Sequence, residues 1–245
     1  MADLSTENLS VQTKLIALLE SLEASSGSGS TTILPTRLTL INMVKIKLDE
    51  LIPEGEGVVY DLESEPNVSD PYDLYINGLL DEAAKHILQT APKHILPITS
   101  CSNPAVQIGT TNYGYVLVPD GFLRLHSFKM TEWSRDVNEF ITPEHEFYKL
   151  QGNDHVRAGT KKPVLVLNYK VITATVKKVF EYYSVNTAHT VEKFLYIGET
   201  AAENLDDDLY PELTWMCASM ILQNINETNL AQKAMERVQL CYQNR

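Results

Sequence analysis

The chain has 245 residues, 44% of them hydrophobic, and a formal net charge of −12. That length allows one large or two small domains with a proper hydrophobic core, and no apolar run approaches the roughly 18 residues a membrane span needs. Three scattered cysteines (Cys101, Cys217 and Cys241) argue against a disulfide framework and a cysteine zinc site, and the polar, acidic start Met1–Leu9 lacks the features of a secretion signal, so a cytosolic product is expected.

In chain order, residues 6–24 read as a helix with Thr6 as N-cap and Leu15, Leu18, Leu19 and Leu22 at helical spacing. Residues 25–32, SSGSGSTT, are a flexible connector. A second helix is expected over 36–52, with Leu38, Ile41, Leu48 and Leu51 on one side, ended by Pro53, Gly55 and Gly57. After an acidic loop, Asp70 caps a helix with Pro71 at its first position and Asp73 in its first turn. Its apolar stripe is Tyr72, Ile76, Leu79, Leu80, Ala83 and Ile87, and Pro92 stops it.

From residue 95 to 198 the period changes to two. Tyr113–Pro119 and Phe122–Trp133 read as strands around an Asp120-Gly121 turn. Phe122, Leu125, Phe128 and Met130 do not alternate strictly, which predicts a bulge. Thr142-Pro143-Glu144 starts a short helix or turn, and three further strands run over Pro163–Val171, Ala174–Tyr183 and Val191–Ile197. The chain then returns to helix. Asp206, Asp207 and Asp208 precede Pro211, a start signal that also suits the helix dipole. Leu209, Leu213, Met216, Met220 and Gln223 follow one face, with Cys217 as a packing residue. After a polar break at Asn224–Asn229, Leu230, Ala234, Val238 and Cys241 mark a last helix. The order predicts an α+β fold: residues 58–94 and 199–245 form a helical bundle, 95–198 an inserted antiparallel β domain, and 1–57 a helical extension with its Gly/Ser linker.

The charge is unevenly spread. Eleven acids and no Lys or Arg lie between Lys47 and Lys85, and seven acids and again no base between Lys193 and Lys233. Bases slightly outnumber acids from Phe122 to Lys193. Tight phosphate binding needs clustered Lys and Arg, so the acidic stretches read as a solvated face or as a surface that DNA passes without sticking.

Templates for catalysis are weak. G-x-S-x-G, P-loop, G-x-G-x-x-G and H-E-x-x-H motifs are all missing. The nearest metal candidate combines Glu144, His145 and Glu146 with Asp154 and His155, a spacing that fits no common motif, so no metal and no cofactor are expected. His86 and His94 read as structural groups at a helix end. The aromatics Phe180, Tyr182, Tyr183, Phe194 and Tyr196 read as cross-strand packing rather than a base-stacking platform, since no arginine cluster accompanies them.

The segment order and several phrases resemble the head–tail connector (adaptor or ring) proteins of short-tailed, crAss-like bacteriophages. The phrases are Val118 to Arg124 leading to Glu132-Trp133-Ser134-Arg135, Tyr148 through Gly152-Asn153 to Lys162-Pro163-Val164, Phe180-Glu181-Tyr182-Tyr183, and Tyr196-Ile197 followed by Leu209 to Gln223 and a terminal helix. They cover roughly residues 70–245; the first 55 residues lie outside the resemblance. The resemblance implies a virion protein at the head–tail junction, assembled in the host cytoplasm. It implies a ring, commonly of twelve copies, docked under the capsid portal, with further tail or ring proteins as neighbours and genomic DNA passing through without specific binding.

On that basis Asp206, Asp207 and Asp208 are candidate channel-facing acids, and charge reversal in the acidic runs is expected to slow DNA ejection. The mixed face of Met235, Arg237, Val238, Leu240, Tyr242 and Arg245 is the candidate portal-binding surface, and deleting 236–245 is expected to leave a soluble fold that no longer docks. A helix packed on its own subunit is the other reading of that segment. The alternatives for the whole chain are a hydrolase using His145, His155 and nearby carboxylates, and a module that binds a peptide on a sheet edge.

Overall fold

The computed structural model describes residues 35–51, 71–110, 112–153, 155–183, 185 and 188–243. The expected helix at 6–24, its connector and the Asp70 cap lie outside them. The fold is mixed α+β. The described helices are α1 (Pro35–Leu51), α2 (Pro71–Thr90), α3 (Glu146–Leu150), α4 (Tyr210–Asn224) and α5 (Thr228–Gln243). The strands are β1 (Thr99–Ser100), β2 (Val106–Thr110), β3 (Tyr113–Leu117), β4 (Phe122–Met130), β5 (Leu165–Ile172), β6 (Thr175–Tyr183) and β7 (Val191–Gly198). The chain divides into two compact units, one of residues 1–92 and 200–245 and the other of residues 93–199.

In the helical unit α4 packs against α1, α2 and α5. Leu213, Trp215, Met216, Cys217, Ala218, Ile221 and Leu222 are all buried, so α4 is enclosed on every side rather than along one face. Gln223, placed by its spacing on the apolar face, is exposed, and Met220 is only half-buried. Burial pushes the Cys217 thiol above its ordinary pKa, as for an inert packing cysteine. Ahead of α4 the Asp206 side chain accepts from the Asp208 N–H at 3.0 Å and caps the 3-10 turn Asp207–Leu209; α4 itself has no side-chain cap, and Pro211 sits in its first turn.

The α1 stripe is Leu40, Ile41, Val44 and Leu48, all at most 4% exposed. Leu38 and Leu51, expected on that stripe, are half-buried flanks. Two cationic side chains of α1 tie it to its neighbours. Lys45 pairs with Asp73 of α2, which is 1% exposed. Arg37 donates to Asn77 Oδ1 at 2.8 Å, Asp81 at 2.9 Å and Glu203 at 2.8 Å. The Asp81 carboxyl is partly desolvated, which works to raise its pKa, but the Arg37 and Ala202 N–H groups donating to it outweigh that and hold it below the ordinary value. A planar guanidinium can serve three partners in different directions, whereas an ammonium cannot keep that fork. Arg37→Lys is therefore expected to destabilise the helical unit by about 1–2 kcal/mol, read as a lower urea midpoint with an unchanged slope; an unchanged midpoint would show the fork to be replaceable.

In the second unit a three-stranded sheet, β1-β7-β4, faces a four-stranded sheet, β2-β3-β6-β5, and all neighbours are antiparallel. Between them lies a core of Phe122, Leu125, Phe128, Met130 and Phe194 from one sheet with Val116, Leu165, Phe180 and Tyr182 from the other. Register shifts fall between Phe122 and Arg124, between Leu125 and Ser127, and between Lys129 and Met130. These irregularities in β4 let its non-alternating quartet face one core, as the bulge expectation required. Gly121 takes φ 72° at the expected turn. Gly114 lies opposite Tyr182, and a Cβ there would stand 2.6 Å from the Tyr182 ring and 2.7 Å from the Gln107 carbonyl oxygen, so only glycine fits.

Candidate interaction surface

Strands β5 and β6 form a hairpin that runs beyond the rest of its sheet. They pair from Leu165↔Tyr182 out to Ile172↔Thr175, whereas β3 pairs with β6 only from Val179 to Tyr183. The outer part, Tyr169–Lys178, is thus a two-stranded arm. Side chains alternate across a strand, so the pairs on one face of this hairpin are Leu165/Tyr182, Leu167/Phe180, Tyr169/Lys178 and Val171/Val176. The first two pairs belong to the sandwich core. The last two continue the same face into solvent: Tyr169 is 59%, Val171 73% and Val176 65% exposed. Outward of the core, the arm therefore carries an apolar strip that its own unit leaves uncovered.

The tip is strained. Thr173 and Ala174 have φ 49° and 65°, the left-handed pair that a two-residue primed turn requires, and a β-branched residue adopts that region rarely.

The root of the arm is pinned on the opposite face. Glu181 of β6 is 2% exposed. Its carboxylate accepts from Tyr113 Oη at 2.9 Å, Tyr183 Oη at 2.9 Å and Asn168 Nδ2 at 3.2 Å, and it pairs with Lys170 Nζ at 2.9 Å. Lys170 also donates to Tyr113 Oη and lies 5.1 and 4.8 Å from the centroids of the Tyr113 and Tyr115 rings. Burial alone would raise the Glu181 pKa, but the donors from Lys170, Tyr183 and Tyr113 overcome it and hold the carboxyl below its ordinary value. Burial likewise works to lower the Lys170 pKa, and its bonds to Tyr113 and Glu181 leave it raised. The network joins β3, β5 and β6, so it fixes the direction in which the arm leaves the sheet.

The arm is basic. Residues 155–180 carry six Lys and Arg and no Asp or Glu. Lys178 is exposed on the valine face, opposite Tyr169, and Lys177 is exposed on the other face, opposite Lys170. A groove of about 590 Å³ lies between the β6 side of the arm, Thr175–Lys178, and the segments 101–105 and Leu117–Phe122 of the same unit.

The helical unit has the opposite balance, with twelve Asp and Glu against six Lys and Arg among its described residues, compared with nine acids and twelve bases among the described residues of 93–199. All three of the expected channel acids are at the surface, but other acids of the same runs are not. Asp206, Asp207 and Asp208 are exposed, whereas Asp73 and Glu212 within the same acidic runs are buried.

Within the terminal helix Arg237 and Leu240 are exposed, Met235 and Tyr242 are half-buried, and Arg245 lies outside the described residues. Val238 is fully buried, with Ala231 and Ala234, inside the helical unit. It therefore leaves the predicted docking set, and removing residues 236–245 would strip a core side chain. The 3.6-residue period puts Val238 on the same stripe as Ala234, which is the signal for its burial.

His145 caps α3, accepting from the Phe147 N–H at 3.2 Å, and both His145 and His155 are exposed. Among the described residues no group of three His, Cys, Asp or Glu side chains could hold a metal ion; Asp154 is not among them. Phe180, Tyr182, Tyr183 and Phe194 are buried in packing rather than displayed for stacking. No described helix is long and apolar enough to cross a membrane. The chain matches no protein-family model and no curated protein.

Proposed function

We propose that the chain is a structural virion protein that forms a ring below the capsid portal, connects head to tail and lets genomic DNA pass. The observation that supports this reading is the presence of two unlike surfaces on one chain: an acidic helical unit, and a more basic β unit with an apolar, lysine-bearing arm. A ring closed by heterologous contacts needs two different complementary faces on every subunit, and opposite charge sets their orientation and register.

In this reading the segments 58–94 and 199–245 form a helical bundle around the DNA path, and 95–198 is a β domain inserted into it. Twelve copies close the ring, and the exposed Asp206–Asp208 turn faces the channel, where negative charge repels the phosphate backbone. The exposed Arg237 and Leu240, with Met235, Tyr242 and Arg245, meet the portal. The protein is not an enzyme and needs no cofactor.

The purified chain mixed with a portal protein is expected to cap it as a closed ring in electron micrographs. Arg237→Glu combined with Leu240→Asp should weaken docking by at least about tenfold, the equivalent of ~1.4 kcal/mol, without lowering the melting temperature, because both side chains are exposed. Bare portals beside single copies of the chain would defeat the reading.

A further inference from the structure

We propose that the β5–β6 arm is the clasp by which one copy of the chain grips the acidic helical unit of the next copy. The inference rests on the ring reading above and names the contact that would close the ring. Three independent features of the arm point to a protein surface as its occupant.

The first is apolar continuity. The core face of the hairpin extends past the sandwich through Tyr169 to the Val171↔Val176 pair, whose members are 73% and 65% exposed. Isolated two-stranded ribbons are marginal in water, and an exposed β-branched pair facing one way gains most when another protein surface covers it. The second is its open edges. In the strand order β2-β3-β6-β5, β5 is the edge strand, bridged by Ile141 only at Val166, and the last bond to β6 from the β3 side is Val118 N–H to the Lys178 carbonyl at 3.1 Å, so both edges of the outer ribbon are open beyond these points. Unpaired backbone groups on a projecting ribbon are ready acceptors and donors for another chain.

The third is charge. Lys177 and Lys178 stand exposed on an arm free of acids, and the helical unit of the same chain carries twice as many acids as bases among its described residues. A second copy thus offers the complementary surface, and the contact is heterologous, arm to helical unit, as a ring demands. The rigid root suits this task. Glu181, Lys170, Tyr113, Tyr183 and Asn168 hold the arm at a set angle, which limits the entropy lost when it docks. Duplex DNA is the weaker occupant. Lys170 is already engaged by Glu181, which leaves two lysines on the arm, whereas DNA affinity rises with each phosphate neutralised.

The test compares the wild-type chain with V171D/V176D and K177E/K178E, alone and with a portal protein, by light scattering and electron microscopy. All substituted side chains are exposed, so each variant should melt with the wild type. Rings are expected from the wild type and loss of rings from both variants. A photo-crosslinker at position 176, in a mixture of ¹⁴N- and ¹⁵N-labelled copies, should link that position to the helical unit of a differently labelled copy.

Rings that form normally in both variants, or crosslinks that leave the arm out, overturn the clasp while the ring reading stands. A wild-type chain that forms no ring alone or on the portal overturns both. Binding to a short DNA duplex that K177E/K178E abolishes, with ring formation intact, would assign the arm to nucleic acid and also overturn the clasp.

Discussion

Phe180→Ala is expected to destabilise the β unit by about 3–5 kcal/mol, the range for removing a large aromatic side chain from a packed core. Phe180 is fully buried, and its ring lies 5.3 Å from Phe122, 5.5 Å from Phe140, 5.8 Å from Phe194 and 6.3 Å from Phe128. It is thus the point where both sheets and the segment after β4 meet. Edge-to-face pairs such as Phe180–Phe122, with an interplanar angle of 80°, add to the loss from burial alone. Urea unfolding checks this: with a slope near 2 kcal/mol/M, the midpoint of the transition involving the β unit should fall by about 2 M. Phe180→Leu should cost much less, since it preserves most of the volume. A fall of less than about 0.5 M in the alanine variant would mean that the neighbouring rings close the cavity.

Glu181→Ala is expected to cost about 2–3 kcal/mol. Breaking a fully buried ion pair costs ~3–5 kcal/mol, but the Lys170 side chain retains 29% of its exposure, so water recovers part of the loss. The pH dependence separates this electrostatic loss from simple truncation. The Glu181 carboxyl titrates below its ordinary value when folded. Its contribution is therefore present above ~pH 4.3 and is lost as the pH falls through the lowered folded value. Lys170 is raised, so its share persists below ~pH 10.4 and is lost as the pH rises through the raised folded value. The gap in stability between wild type and Glu181→Ala should hold across the neutral range and narrow at both extremes. A gap that stays constant down to pH 2 would sink the ionic account. Because the network roots the arm, the variant should also raise hydrogen exchange along Tyr169–Lys178 more than along β4.

Local pattern and overall order were readable to different depths. Pro71 at the start of α2, the Asp206–Asp208 turn before Pro211 and the Gly121 turn carried their own chemistry, and each stands where that chemistry puts it. The broken alternation Phe122, Leu125, Phe128 and Met130 announced the irregular register of β4. In contrast, β1 and β2 were not foreseen. Val106–Thr110 is almost wholly exposed, so it carries no apolar period and is a strand only because β3 pairs with it. The strand break after Val171 was legible, but the left-handed backbone of the Thr173-Ala174 turn was hidden, since neither residue favours positive φ; the registry of the long strands on either side imposes it.

Composition and period were thus enough to determine where the long helices of the described residues and the main strands lie and that the class is α+β, because those depend on neighbours within a few residues. Which faces end up covered was decided only by the tertiary structure. Val238 turned inward, Asp73 and Glu181 became buried ions, α4 was enclosed on all sides, and Val171 and Val176 were left in water. Burial depends on segments far away in sequence that pack against a residue, and no local spacing encodes their arrival.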